Sequence, residues 1–291
     1  MFKALAEFVM RGRVPAIMVA LIGSWLPFVS QAALGLVTLR KGWQEGLLIT
    51  LWASLPAFVG LWLGQVPVSV AVAMIAIFYV GYIASCVLRA KVSWPVTLSA
   101  LVALSTLATL VVVGVSDNFV EQISSFFRDL MTPPNGELSE DAAQFVSNWS
   151  VQSASGLVAY WIGIGALVGV LVSRWWQALL YNPGGFQQEF HALRLPMSIA
   201  VISAVTWLYA MSQGAQYTFW ANVFGLPLWV SGMAMVHWLV ARFKLNVAAL
   251  VAMYILVPLL PMGIVILMLL ALLDAGLDLR NKFKTDQPKQ G

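Results

Sequence analysis

His191 and His237 are the two histidines of this 291-residue chain, and with Glu189 they are the side chains best suited to moving protons. His191 lies in "NPGGFQQEFHALRLP", and His237 directly precedes Trp238, close to Arg242. Neither has another histidine or a cysteine at metal-ligand spacing, and the chain carries no Walker-type loop or nucleophile elbow. The pattern therefore supports no metal, no cofactor and no catalytic set, and both histidines read as interfacial side chains. A second polar group, "LLDAGLDLRNKFK", puts Asp274 and Asp278 four residues apart ahead of Arg280, Lys282 and Lys284. Like charges at that helical spacing repel unless a cation lies between them. Plain solvation of the two acids is the first reading, and a bond to Arg194 or Arg280 the alternative.

The elements that position these groups are set by composition. Hydrophobic residues make up 60% of the chain and charged ones 10%, where a soluble domain carries about 25% charged residues. The reading is an all-α, polytopic transmembrane bundle, with residues 1–291 forming a single membrane domain. The net charge of +4 reports membrane orientation rather than nucleic-acid binding, because the basic residues sit at the ends of apolar runs. Cys86 is the single cysteine, so no internal disulfide forms.

Eight apolar segments are recognisable, at 14–39, 46–63, 67–88, 93–115, 152–173, 196–212, 217–241 and 246–273. If each crosses once, the 16 Lys and Arg residues divide equally between the two sides. If the first and last segments instead double back, at Pro27 and at Pro258 and Pro261, every one except Arg128 falls on one side while the acids divide evenly. A bias in Lys and Arg with indifferent acids is the signature of the cytoplasmic side, so both termini are expected there, with up to ten helices. Lengths agree: Val14 to Phe28 would span about 22 Å and Val29 to Leu39 about 16 Å, against a hydrocarbon core of about 30 Å. A single kinked helix that violates the charge rule is the alternative. A cleaved leader ending at Ser30–Ala32 fits less well, since the apolar run continues through Leu39.

The 116–151 connection carries two amphipathic helices on the outer face, one built on Phe119, Ile123, Phe126 and Phe127, the other starting at Ser139. They serve as an interfacial anchor or as a gate over a cavity. Residues 276–291 form a basic cytoplasmic tail.

No central segment holds an ionisable residue, so a self-powered, ion-coupled transporter is disfavoured and uncharged binding is the chemistry left. Trp25, Gln31, Tyr160, Trp161, Gln213 and Trp220 are the candidate lining of a substrate pocket in the outer half. Ser155, Ala159, Gly163, Gly165 and Gly169 form a small-residue seam that serves internal helix packing or docks a partner. Rival readings are a membrane scaffold and a lipid-modifying enzyme acting at the inner face through His191 and Glu189.

Three stretches, "LVTLRKGWQEGLL", "GGFQQEFHALRLP" and "LLDAGLDLRNKFK", give the chain a resemblance to the YybS-like family of bacterial multispanning membrane proteins. That family is grouped with the substrate-binding S components of energy-coupling-factor transporters. The resemblance implies a non-enzymatic transport component of the bacterial cytoplasmic membrane, powered by a membrane coupling subunit and cytoplasmic ATPases. It also implies a Gly-containing inner turn, which "RKGWQEG" would supply with Arg40, Lys41, Gly42 and Gly46, and inner-face motifs around Glu189, His191, Arg194, Asp274, Asp278 and Arg280.

Overall fold

A computed structural model describes residues 1–23, 28–133, 136, 139–140, 144, 149–260 and 262–285, the last three by backbone alone. Among these the chain is almost wholly α-helical and has no strand. In order the helices are α1 (Phe2–Met10), α2 (Arg13–Ile22), α3 (Val29–Lys41), α4 (Trp43–Trp62), α5 (Val68–Lys91), α6 (Trp94–Gly114), α7 (Phe119–Met131) and α8 (Val151–Tyr181). They continue with α9 (Gly185–Ala192), α10 (Met197–Ser212), α11 (Thr218–Phe224), α12 (Leu226–Arg242), α13 (Ala248–Leu259), α14 (Gly263–Leu277) and α15 (Leu279–Thr285).

Four of these, α4, α5, α6 and α8, are long and apolar enough to cross a membrane singly. Three bent pairs raise the number of spans to as many as seven: α9 with α10, α11 and its preceding turn with α12, and α13 with α14, inclined at 70°, 58° and 118°. Helix starts follow proline chemistry. Pro67 precedes α5, Pro196 precedes α10, and Pro95 and Pro227 sit in the first turns of α6 and α12, where the missing N–H costs no intrahelical bond.

The first apolar tract doubles back, as the charge sorting requires. α2 and α3 pack as a hairpin, and Arg13 at the start of α2 donates from Nε to Glu45 Oε2 at 2.9 Å, just past the end of α3. Every residue from Ser30 to Leu39 is buried, with α2, α4, α5 and α8 around α3. The α3–α4 turn needs its glycines. Gly42 has φ +105°, and a Cβ at Gly46 would lie 2.1 Å from Thr38 Oγ1. Arg89 closes the open end of α3 by donating from Nη1 to the Leu39 carbonyl oxygen at 2.7 Å.

The basic side chains collect at this end of the bundle. The Arg40 guanidinium lies 3.8 Å over the Tyr181 ring, Arg174 pairs with Glu189, and Arg194 pairs with Asp278. At the opposite end α7 is tied down through Gln122, which accepts from the Ser69 backbone N–H at 3.0 Å and donates to Ser116 Oγ at 2.8 Å.

Three features depart from the sequence reading. α1 was not anticipated; it buries Ala6 and Val9 against α2, α3 and α8, with Phe2 edge-on to Trp175. The segment 217–241 is not one straight helix but bends by 58° at Gly225, where a Cβ would press on Met268 and Trp207 at 3.0 Å, and Pro227 then lies in the first turn of α12. α8 extends well past residue 173, to Tyr181, giving a rod of about 46 Å. Most of the helix expected from Ser139, including Phe145 and Val146, and the terminal basic tail beyond Thr285 lie outside the described residues.

Candidate functional site

A cavity borders the ends of α2 and α3. The described ends of α2 and α3, at Gly23 and Phe28, meet it together with α4, α5 and α8. The cavity there has a volume of about 640 Å³, within the usual range for a small-molecule site. It is bordered by Phe28 and Gln31 from the hairpin, Pro56 from α4, Gln65 from the α4–α5 turn, Phe78 from α5 and Trp161 from α8. Phe28 holds φ +66° at the start of α3, a conformation disfavoured for an aromatic L-residue. Trp161 is fixed from behind by α7, with Phe126 stacked on it and Phe127 edge-on, both at 6.3 Å.

Gln31 is the unusual member. It is 5% exposed, and among the described residues neither its amide nitrogen nor its amide oxygen has a hydrogen-bond partner. Its neighbour Ser30 does not share this state, since its hydroxyl donates to the Ala20 carbonyl oxygen. The Gln31 side chain fits in a slot between two glycines. A Cβ at Gly81 would stand 2.5 Å from its Oε1, and a Cβ at Gly169 would stand 2.6 Å from its Cβ. A buried amide left without partners costs about 1–3 kcal/mol, so the position is retained at a loss of stability.

Gln31 and Trp161 thus border the cavity, whereas three other expected lining residues do not. Tyr160 follows α8 round by about 100° from Trp161 and faces Phe219, with ring centroids 6.2 Å apart. Trp220 packs on Gly156 and donates from Nε1 to Ser155 Oγ at 3.2 Å. Gln213 is exposed in the turn after α10. Trp25 lies outside the described residues. Phe28, Pro56, Gln65 and Phe78 were not anticipated; only Phe28, next to the expected break at Pro27, had a local signal.

The small-residue seam of α8 is occupied within the chain. Ser155 meets Trp220, Ala159 is fully buried, and Gly163 faces Ser105 and Leu226. Gly165 faces Ile77, and Gly169 faces Gln31.

At the basic end the two acids of the last segment each find a cation. Asp274 is fully buried and pairs with Arg280, 6% exposed, whose Nε lies 2.9 Å from Oδ2 as an ion pair rather than an aligned hydrogen bond. Arg280 also donates from Nη1 to the His191 carbonyl oxygen and from Nη2 to that of Leu193. Burial pushes its pKa down, opposed by Asp274. Arg194 donates to the Asp274 and Ala275 carbonyl oxygens at the end of α14 and pairs with Asp278 at 2.7 Å. Together the two arginines fasten α14 and α15 to the α9–α10 connection. Lys41 and Arg40 lie on the exposed edge of the same end, beside Gly42.

The histidines meet here without forming a metal centre. His191 and His237 have ring centroids 6.5 Å apart, and His237 Nε2 is 2.8 Å from the Tyr254 hydroxyl. Burial lowers the His191 pKa and Arg280 lowers it further. No group of three potential ligands occurs among the described residues. Glu189, the expected companion of His191, is instead held by Arg174, with 2.8 Å from Nε to Oε2.

Comparisons with protein-family models, curated proteins and solved structures find no match. The composition and the apolar helices define the class on their own: a multi-pass helical membrane protein.

Proposed function

We propose that the protein is a non-enzymatic substrate-binding or transport component of a bacterial cytoplasmic membrane. Its cavity opens to the outer half, and both of its termini are cytoplasmic. The observation that carries this reading is the cavity of about 640 Å³ bordered by Gly23, Phe28, α4, α5 and α8, at the end of the bundle away from the basic cluster. Lys and Arg remain on the cytoplasmic side, so a cavity at the other end faces incoming substrate.

The resemblance to the YybS-like family and to S components supports the same role. Under it, the partners are a membrane coupling subunit and cytoplasmic ATPases, docking at the Arg40–Gly42 turn and the α9 region. The scaffold alternative gives the cavity no purpose. The lipid-modifying alternative requires a free Glu189 beside His191, and Glu189 is bound to Arg174.

The test is affinity purification in mild detergent, with mass spectrometry of co-purifying subunits and small molecules. Recovery of an ATPase together with a ligand is the expected result. Recovery of neither overturns the proposal.

A further inference from the structure

The walls of the cavity define what it would hold, if it is the binding site proposed above. Among the described residues that border it, none is Asp, Glu, Lys, Arg or His. An ion entering would lose its hydration with no countercharge in return, so a neutral ligand is selected. Phe28, Phe78 and Trp161 offer aromatic surfaces, which favour a flat molecule.

Gln31 adds the specific element. A primary amide carries a donor and an acceptor side by side, and both are unpaired here. Both atoms are also covered, with the amide oxygen close to Gly81 and Gly169. Reading a ligand therefore requires the amide to swing about its side-chain bonds into the space it borders. That swing breaks no hydrogen bond, because none exists, and it gains two if the ligand presents a matching edge.

A cis-amide edge, N–H beside C=O, is the neutral group that satisfies both halves of a primary amide at once. We propose that the cavity takes a neutral, flat heterocycle with a lactam-type edge, whose N–H and C=O are read by the Gln31 amide. Gln65 lies in the turn at the cavity rim and does not share the buried position of Gln31.

Three probes of nearly one shape test this: isoquinolin-1(2H)-one, its N-methyl derivative and naphthalene. Each is measured by equilibrium dialysis against the full-length protein in lipid nanodiscs, with empty nanodiscs subtracted. The lactam is expected to bind at least tenfold more tightly than either analogue, and Gln31→Leu is expected to reduce it to their level. The comparison of lactam with N-methyl lactam uses the wild-type chain alone, so it stands even if the variant folds poorly. Equal binding of all three probes overturns the lactam edge and leaves the cavity as a binding site. Saturable binding of none overturns the cavity reading and the lactam edge with it.

Discussion

Asp274 and Arg280 form an ion pair at 2.9 Å that is almost wholly withdrawn from solvent, one turn and a half apart across the left-handed residue Asp278. The kink at Asp278, with φ +50°, lets α15 turn so that the Arg280 guanidinium comes back over the end of α14. Arg280 then continues to the carbonyl oxygens of His191 and Leu193, so one side chain joins three elements.

Arg280→Met is expected to destabilise the fold by about 3–5 kcal/mol, because it strands the buried Asp274 carboxylate. The double variant Asp274→Leu with Arg280→Met is expected to lose less, since no lone charge remains. Unfolding by SDS titration checks both. A double variant as unstable as Arg280→Met alone would show that the charge balance is irrelevant and that the backbone contacts carry the effect.

Gly169 and Gly81 flank the same side chain but do not resist substitution equally. At Gly169 the obstacle is Gln31 Cβ, which is anchored to the helix; at Gly81 it is the movable amide tip. Gly169→Ala is expected to cost about 1–3 kcal/mol, as overpacking does, and Gly81→Ala less. Gln31→Ala should relieve Gly81→Ala but not Gly169→Ala. Thermal unfolding of the three single variants and the two doubles gives the ordering.

Sidedness is open to direct chemistry because Cys86 is the single cysteine. In a Cys86→Ser background, Lys41→Cys is expected to react with a membrane-impermeant maleimide only after the cells are permeabilised, and Gln213→Cys in intact cells. Reaction of position 41 from the external medium would reverse the orientation and place the cavity on the cytoplasmic side.

Acid should loosen the end of α14. A hydrogen bond from Asn281 and the nearby Arg194 hold the Asp278 carboxyl below its usual range. A carboxyl with a depressed folded pKa stabilises the protein above its unfolded pKa of about 4, and that contribution disappears as the pH falls through the lower folded value. His191 acts in the same direction at higher pH. Its lowered pKa means the unfolded chain binds the proton more tightly, so stability declines as the pH falls below about 6.5. Asp278→Asn should flatten the lower part of the stability–pH curve, and His191→Gln the upper part.

The sequence carried the long spans and the first hairpin because both rest on strong signals, apolar length and the placement of Lys and Arg. It did not carry the break at Gly225, a glycine packed so closely that a Cβ there would press on Met268 and Trp207, the first of them 43 residues away in the chain. α1 was hidden by its brevity. The cavity was half legible for a related reason. In a membrane helix the faces toward lipid and toward protein are both apolar, so periodicity does not separate them. Gln31 stood out as an amide in an apolar run, and Trp161 as a deep indole. Phe78 looked like every other apolar residue of α5, and nothing marked Tyr160 as facing Phe219 instead of the cavity. For Asp274 and Asp278 the sequence favoured plain solvation, with a bond to Arg194 or Arg280 as the alternative; the division between the two arginines depends on the turn at Asp278.

α8 runs unbroken for 31 residues, from the capping Ser150 to Tyr181, carrying Trp161 about a third of the way along and the ring beneath Arg40 at its end. A straight rod cannot keep a tilt local. A lean of about 5° pivoting at Gly169 displaces Tyr181, 12 residues on, by about 1.6 Å at 1.5 Å per residue. A push on the indole that tilted the whole rod would therefore be felt, as a sideways step, among the arginines at its far end.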